Sequence, residues 1–221
     1  MCDLDGLIDF KTGRQKRVIY SDPDIYEQEL EKIFARSWLF IAHECQIKEP
    51  GDFIRTFMGE DEVLVVRQKD GSVKAFLNTC THRGNRLCKA DHGNKKTFVC
   101  NYHGWGFGTD GALNGVPLEK EAYYNKLDKD KFGLIEVAQI ESYKGLIFAT
   151  FDEEAPSLDE YLGDMKWYLD TWLDAMPEGT ELIGTAMKVE LPVNWKLPVE
   201  NVSGDGYHLG WAHAGAMTVT T

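Results

Sequence analysis

Two sets of residues in this sequence have the types and spacing for metal chemistry. The first is Cys80-x-His82, followed after seventeen residues by Cys100-x-x-His103, so two arms each offer one thiolate and one imidazole. Such a donor set suits two metal groups. One is a two-iron, two-sulfide cluster with both thiolates on one iron and both imidazoles on the other. Two neutral imidazoles in place of anionic thiolates reduce the negative charge at the metal. The potential then rises to roughly −150 to +300 mV, against about −400 mV for an all-cysteine plant-type cluster. The other group is zinc, but zinc fingers usually run Cys, Cys, His, His. The alternating order and the one-residue gap in the first arm favour the iron–sulfur cluster.

The second set lies in the stretch from Asn194-Trp195-Lys196 through Asn201 and Asp205 to His208 and His213. On a regular helix, histidines five apart point about 140° away from each other and cannot share one small ion. Gly204, Gly206 and Gly210 permit a bend, so the spacing predicts an irregular helix around Gly210. Two histidines, His43 and His92, stand outside both sets. They read as a polar side chain near a helix end and a loop residue.

Rigid elements must aim these side chains. Residues 21–40 read as one amphipathic helix, capped by Ser21 or Asp22, with Ile25, Leu30, Ile33, Phe34 and Trp38 on one stripe. From about Ile41 to Asp152 the pattern is of short strands and turns. Strands are expected at Phe53–Phe57, Val63–Arg67, Val73–Leu77, Thr97–Cys100, Leu134–Ile140 and Leu146–Phe151. Asp70-Gly71, Asp110-Gly111 and Lys144-Gly145 supply turn signals. This suggests a small antiparallel barrel or sandwich carrying both ligand arms at hairpin tips. Ser157-x-x-Glu160 is a capping-box pattern that opens a second helix. Its stripe of Leu158, Tyr161, Leu162, Met165, Leu169, Trp172, Leu173 and Met176 reads as core. Leu182–Val193 alternates loosely and reads as a strand. The boundaries that follow are residues 1–40, a helical segment; 41–156, the sheet domain; and 157–221, a second domain.

Composition excludes several functions. The 221 residues, 43% of them hydrophobic, are enough for one or two packed domains. A net charge of −12 argues against nucleic-acid binding. No stretch approaches the roughly 18–20 apolar residues of a membrane span. The acidic start, with Asp3, Asp5 and Asp9, is unlike a signal peptide. Cys2, Cys45 and Cys88 are left over, an odd number that reads as reduced thiols in a cytoplasmic protein. Gly204-x-Gly206-x-x-x-Gly210 lacks dinucleotide-fingerprint spacing.

Cys80-Thr81-His82-Arg83-Gly84 and Cys100-Asn101-Tyr102-His103-Gly104-Trp105 resemble the cluster loops of bacterial aromatic-ring-hydroxylating oxygenases. The respiratory Rieske proteins carry an extra, disulfide-forming cysteine in each loop; Asn85 and Tyr102 stand at those positions here. Asn194-Trp195-Lys196, Asn201, Asp205, His208 and His213 are similar to the iron-binding segment of the naphthalene- and biphenyl-type dioxygenase large subunits. The resemblance implies an α+β protein: an antiparallel Rieske [2Fe-2S] domain, then the start of a helix-grip-like catalytic domain. It implies that His208 and His213 are two arms of a 2-His-1-carboxylate triad holding mononuclear Fe(II). It further implies that Asp205 bridges to His103 of a neighbouring subunit, and that Asn201 lies near the iron without firmly ligating it. The third ligand would be an aspartate beyond position 221. The chain is therefore expected to be an N-terminal fragment that holds the cluster but no working mononuclear site. The implied partners are a ferredoxin or reductase carrying electrons from NADH, a small beta subunit, two further large subunits in a trimer, dioxygen and an aromatic hydrocarbon, which the whole enzyme would convert to a cis-dihydrodiol. The alternatives are a Rieske-type ferredoxin, for which residues after 157 would be surplus, and a zinc-stabilised interaction module.

Overall fold

The structure is a computed structural model and describes residues 4–183 and 187–219. The chain divides into two compact units: Met1–Glu29 with Ala186–Thr221, and Leu30–Thr185.

In the first unit, β1 (Ile8–Asp9) and β2 (Arg14–Gln15) form a small hairpin that sequence reading did not anticipate. Helix α1 spans only Pro23–Glu29, with the Asp22 carboxylate accepting from the N–H groups of Asp24 and Ile25. Of the two candidate caps, Asp22 is the one used. The chain continues into the second unit as one π-helical segment, Leu30–Phe34, and then leaves the helix. The expected helix to residue 40 is therefore too long. Leu39–His43 forms β3 instead, because it pairs along β12 (Leu146–Thr150). Sheet hydrogen bonding overrides the helical stripe there.

The second unit is built of antiparallel sheets. Strands β4 (Asp52–Met58), β5 (Asp61–Arg67), β6 (Val73–Leu77) and β7 (His92–Asn94) make one sheet in the order β6-β5-β4-β7. Strands β8 (Thr97–Val99), β9 (Gly106–Gly108) and β10 (Leu113–Gly115) make a second. Strand β11 (Gln139–Tyr143) joins β12 and β3 in a third. The expected strand at 134–140 begins later: Leu134–Ala138 is not strand, although Leu77 and Val137 exchange backbone bonds across it with Ile135 and Ala75. His92 sits in β7 rather than in a loop.

Strand β5 explains where the core lies. Its run Val63-Leu64-Val65-Val66 is fully buried, and alternate residues serve different cores. Leu64 and Val66 pack with Phe53, Phe76, Phe98, Trp105 and Phe107, beneath the two cysteines. Val63 and Val65 pack with Ile41, Ile47, Met58, Ala75 and Ile147. The β11–β12 hairpin turns on Lys144-Gly145, both at positive φ, as a two-residue turn of primed type requires. Short α2 (Glu119–Tyr123) was not anticipated.

The expected second helix is two. Ser157 caps α3 (Leu158–Leu162) by accepting from the Glu160 N–H, which is one half of the expected capping box. Gly163, at φ 47 and ψ −128, ends it, and α4 runs Met165–Leu173. The stripe is not core: Leu158 and Leu173 are buried, but Tyr161, Met165, Trp172 and Met176 are exposed. The strand expected at 182–193 is not formed by the described residues there, and 184–186 lie outside the description. Three helices follow: α5 (Lys196–Ser203), α6 (Tyr207–Ala212) and α7 (Ala214–Met217). No helix among the described residues is long and apolar enough to cross a membrane.

Candidate metal centres

The two cysteine loops share one backbone skeleton. In the first, the Cys80 N–H donates to the Asn85 carbonyl at 2.9 Å and the Gly84 N–H to the Cys80 carbonyl at 2.8 Å. In the second, Cys100 donates to Trp105 at 2.8 Å and Gly104 to Cys100 at 2.9 Å. Gly84 and Gly104 both take φ +72, which a side chain rarely adopts. A Cβ on Gly104 would also stand 2.8 Å from Pro117 Cγ. Sequence reading quoted both glycines but missed that each lies four residues after its cysteine, which is the repeat that makes the loops alike. The first loop follows β6 and is closed by the Thr79–Arg86 bridge; the second links β8 to β9. Buried Asn78 clasps the base of the first loop, exchanging amide bonds with Cys88 at 2.7 and 2.8 Å.

These frames pair the four side chains by type. The Cys80 and Cys100 thiols are buried and lie beside each other. The His82 and His103 rings face each other edge to face, with centroids 4.7 Å apart. Backbone N–H groups of His82 and Arg83 reach the Cys80 sulfur, and those of Tyr102 and His103 reach the Cys100 sulfur. Burial, and then Cys100 beside it, push the Cys80 thiol above its ordinary range. Burial opposes ionisation of Cys100 as well, but the two N–H groups, the Asn85 amide and Cys80 together bring it below that range. Burial, His103 and Arg83 lower His82, which keeps its imidazole neutral and able to act as a ligand. Trp105 stacks flat on His82, at 4.6 Å and 7°, and Phe132 packs against the edge of Trp105.

This arrangement fits a two-metal cluster. The buried Nδ1 of His82 has no hydrogen-bond partner, a cost that a metal bond would remove. Thiols meet thiols and imidazoles meet imidazoles, as a cluster with Cys₂ on one iron and His₂ on the other requires. Among the described residues no three His, Cys, Asp or Glu side chains are gathered closely enough for a single ion, whereas tetrahedral zinc would need all four here at one point. The described cysteines are free thiols, and Cys2 lies outside the description. In place of a disulfide, the Asn85 amide ties the loops by donating to Asn101 Oδ1 at 2.8 Å.

The second set comes together as well, by local breaks in the helices. The breaks fall at Gly204–Gly206 and at His213, not at Gly210, which continues α6. They bring the His208 and His213 rings to 5.2 Å. The Asp205 carboxylate accepts from the N–H groups of Tyr207 and His208, at 3.1 and 3.3 Å. The Asp205 carbonyl bonds His208 Nδ1, leaving Nε2 as the free ring nitrogen. Asn201, Asp205, His208 and His213 all line one open cleft. Two facing imidazoles fit two arms of a facial triad; a third protein ligand is not gathered there among the described residues.

Comparison with known proteins agrees with this geometry. Residues 37–143 match the Rieske [2Fe-2S] domain family, and residues 158–221 match the catalytic domain of ring-hydroxylating alpha subunits. The large oxygenase component of a naphthalene 1,2-dioxygenase system from Pseudomonas aeruginosa is 53% identical over 92% of this chain. A biphenyl 2,3-dioxygenase alpha subunit from Rhodococcus jostii is 50% identical over 94%. The chain spans about half the length of these curated relatives, 45% of each. A solved naphthalene 1,2-dioxygenase with indole bound in its active site superposes with a TM-score of 0.90 at 48% identity, covering 96% of this chain and 47% of that one. A quaternary ammonium Rieske monooxygenase in complex with L-carnitine gives 0.79 at 30% identity, over 91% and 55%. Fold and site thus define a Rieske-type iron–sulfur domain joined to a ring-hydroxylating catalytic domain. The chain belongs to the ring-hydroxylating alpha subunits that carry a Rieske [2Fe-2S] domain.

Proposed function

We propose that this chain serves in the oxygenase component of an aromatic-ring dioxygenase that forms cis-dihydrodiols from two- or three-ring hydrocarbons. The observation that carries the reading is the pairing by type of Cys80 with Cys100 and His82 with His103, beside an orphaned His82 Nδ1. When bound, a [2Fe-2S] group supplies single-electron transfer and a ferrous ion supplies a coordination position for dioxygen. The residues do the rest. Cys80 and Cys100 hold the first group through thiolates that backbone N–H groups stabilise. His82 and His103 supply neutral nitrogen and so raise its electron affinity. Trp105 covers one face of His82 and keeps water from it. His208 and His213 hold the ferrous ion through ring nitrogens, with Asp205 fixing the tautomer of His208. Asn201 borders the ion without ligating it.

The same reading supplies the partners. With no dinucleotide fingerprint in the chain, NADH is consumed by a separate reductase, through a ferredoxin where one intervenes. A small beta subunit and a trimer of large subunits complete the assembly, in which Asp205 of one subunit faces His103 of the next and shortens the electron path. The work belongs in the cytoplasm, where reductant and free thiols persist. A Rieske ferredoxin would not need the helices from Ser157 onward.

Anaerobic reconstitution with iron and sulfide tests this. Two acid-labile sulfides per chain, visible absorption and a spin signal on reduction are the expected result. A colourless zinc protein, since zinc is d¹⁰ and has neither property, would end the proposal.

A further inference from the structure

Helix α5 leads directly into Asp205 and His208, and its start and its middle are tied to the N-terminal segment. At its start, the Glu29 carboxylate accepts from Trp195 Nε1 through Oε2, at 2.8 Å, and pairs with Lys196 Nζ through Oε1. Glu29 and Lys196 are largely buried, with side-chain exposures of 11% and 16%. Lys196 Nζ also lies over the rings of Trp195 and Tyr20, at 5.3 and 6.0 Å. Toward the other end, the Tyr20 hydroxyl meets both carboxylate oxygens of Glu200 at 2.8 Å. The start of α5 has no side-chain cap of its own, because its N-cap residue is Trp195. Neither family match, 37–143 or 158–221, includes Tyr20 or Glu29.

We propose that Glu29 is a positioning residue for the iron-holding segment. One carboxylate, divided between an indole N–H and an ammonium, sets the direction of α5 and hence the placement of Asn201, Asp205 and His208. The proposal rests on the reading of His208 and His213 as iron ligands. Both acceptor oxygens are required. Glutamine has the same size but only one acceptor, and its amide N–H₂ would face either the Lys196 ammonium or the Trp195 N–H. Donor would then meet donor in a site where solvent hardly reaches. Lys196 in turn neutralises the carboxylate, so the pair acts as a unit.

The test uses the complete oxygenase with its cluster loaded. Ferrous affinity is read by competition with a chelator, and backbone amide exchange is followed over residues 196–209. Glu29→Gln is expected to weaken ferrous binding about ten-fold, the low end of what loss of an outer-sphere partner does. Amide exchange over 196–209 should quicken by a similar factor, while the visible spectrum of the cluster stays as in the parent. Glu29→Gln with Lys196→Met should be no worse than Glu29→Gln alone. If the Glu29 variants do not fold, Trp195→Phe removes one donor and keeps the ion pair, and a smaller loss in both readouts is expected. Parent-like ferrous affinity and exchange in folded Glu29→Gln, or in Trp195→Phe if that is the variant that folds, overturns the proposal. The reading beneath it fails separately: His208→Ala and His213→Ala would then keep parent affinity for ferrous ion, while the exchange measurement would still report whether Glu29 holds α5.

Discussion

Both candidate centres bring two imidazoles together, but one is built by the sheets and the other by breaks between short helices. Around Cys80 and Cys100 the thiols, Trp105, Phe98 and Phe107 are buried, and strands of two different sheets carry the loops, β6 leading into the first and β8 and β9 flanking the second. Around His208 the residues from 201 to 214 are exposed apart from His208 itself, and Tyr207 and Trp211 are almost fully so. A site made by non-local pairing resists local change, because moving one ligand means moving a strand. Among the described residues of this chain, the site made by consecutive turns is held by its own backbone and by tethers such as Glu29. Local opening is accordingly expected to cost far less at the second centre than at the first.

The largest effect that separates them is loss of ligation. Cys80→Ser or Cys100→Ser should abolish the visible and spin signals of the cluster, whereas His208→Ala should leave both intact. Loss of the cluster signal in His208→Ala would erase the distinction. Next comes a pair of tryptophans. Trp105→Ala removes the ring stacked on His82 and should cost about 3–5 kcal/mol in denaturant unfolding. Trp211→Ala, at a position 89% exposed, should change stability by less than about 0.5 kcal/mol. Smaller again is a pair of glycines. Gly104→Ala forces a side chain into φ +72 against Pro117 and should cost about 2 kcal/mol. Gly210→Ala lies in α6 with nothing within 4 Å of the new methyl, and should be neutral or stabilise by up to about 1 kcal/mol. Thermal midpoints of the two variants decide it.

The smallest effect is electrostatic and lies within the second unit, between the β11–β12 turn and α4. Lys144, on the β11–β12 turn, pairs with Asp170 at 2.8 Å and with Asp174, and the Tyr143 hydroxyl donates to Asp170. Lys144, then Tyr143, hold Asp170 below the ordinary carboxylate range. Asp170 and Asp174 raise Lys144. The Asp170 contribution is present above its unfolded pKa of about 3.9 and is lost as pH falls through the lowered folded value. The Lys144 contribution is present below about 10.4 and is lost as pH rises past its raised value. The difference in thermal midpoint between parent and Lys144→Met should therefore be level from about pH 5 to 10 and shrink toward strong acid. A difference that persists in strong acid would mean packing, not charge, holds the turn to α4.

How far the sequence could be read follows the same division. The gathering of Cys80, His82, Cys100 and His103, the hairpin turns and five strands of the sheet unit (β4, β5, β6, β8 and β12) were legible, because alternation, Gly-containing turns and ligand spacing are local signals; β3, β7, β9 and β10 were not anticipated. The end of the first helix was not. Leu39 to Ala42 satisfy a helical stripe and a strand equally well, and pairing with β12 decides between them. The stripe after Ser157 misled for a related reason: periodicity shows that a helix has an apolar face, not that anything covers it. At the second centre the glycines signalled irregularity, but the backbone breaks at Gly204–Gly206 and His213 while Gly210 stays helical. Asn78 and Glu29 gave no local signal. Their partners lie ten and more than a hundred and sixty residues away.

The amide of Asn85 has a practical consequence. Where a sulfur–sulfur bond would be open to dithiols, the strap between the loops here is an amide hydrogen bond to Asn101, indifferent to reductant. Dithionite or dithiothreitol can thus be added without unfastening this strap.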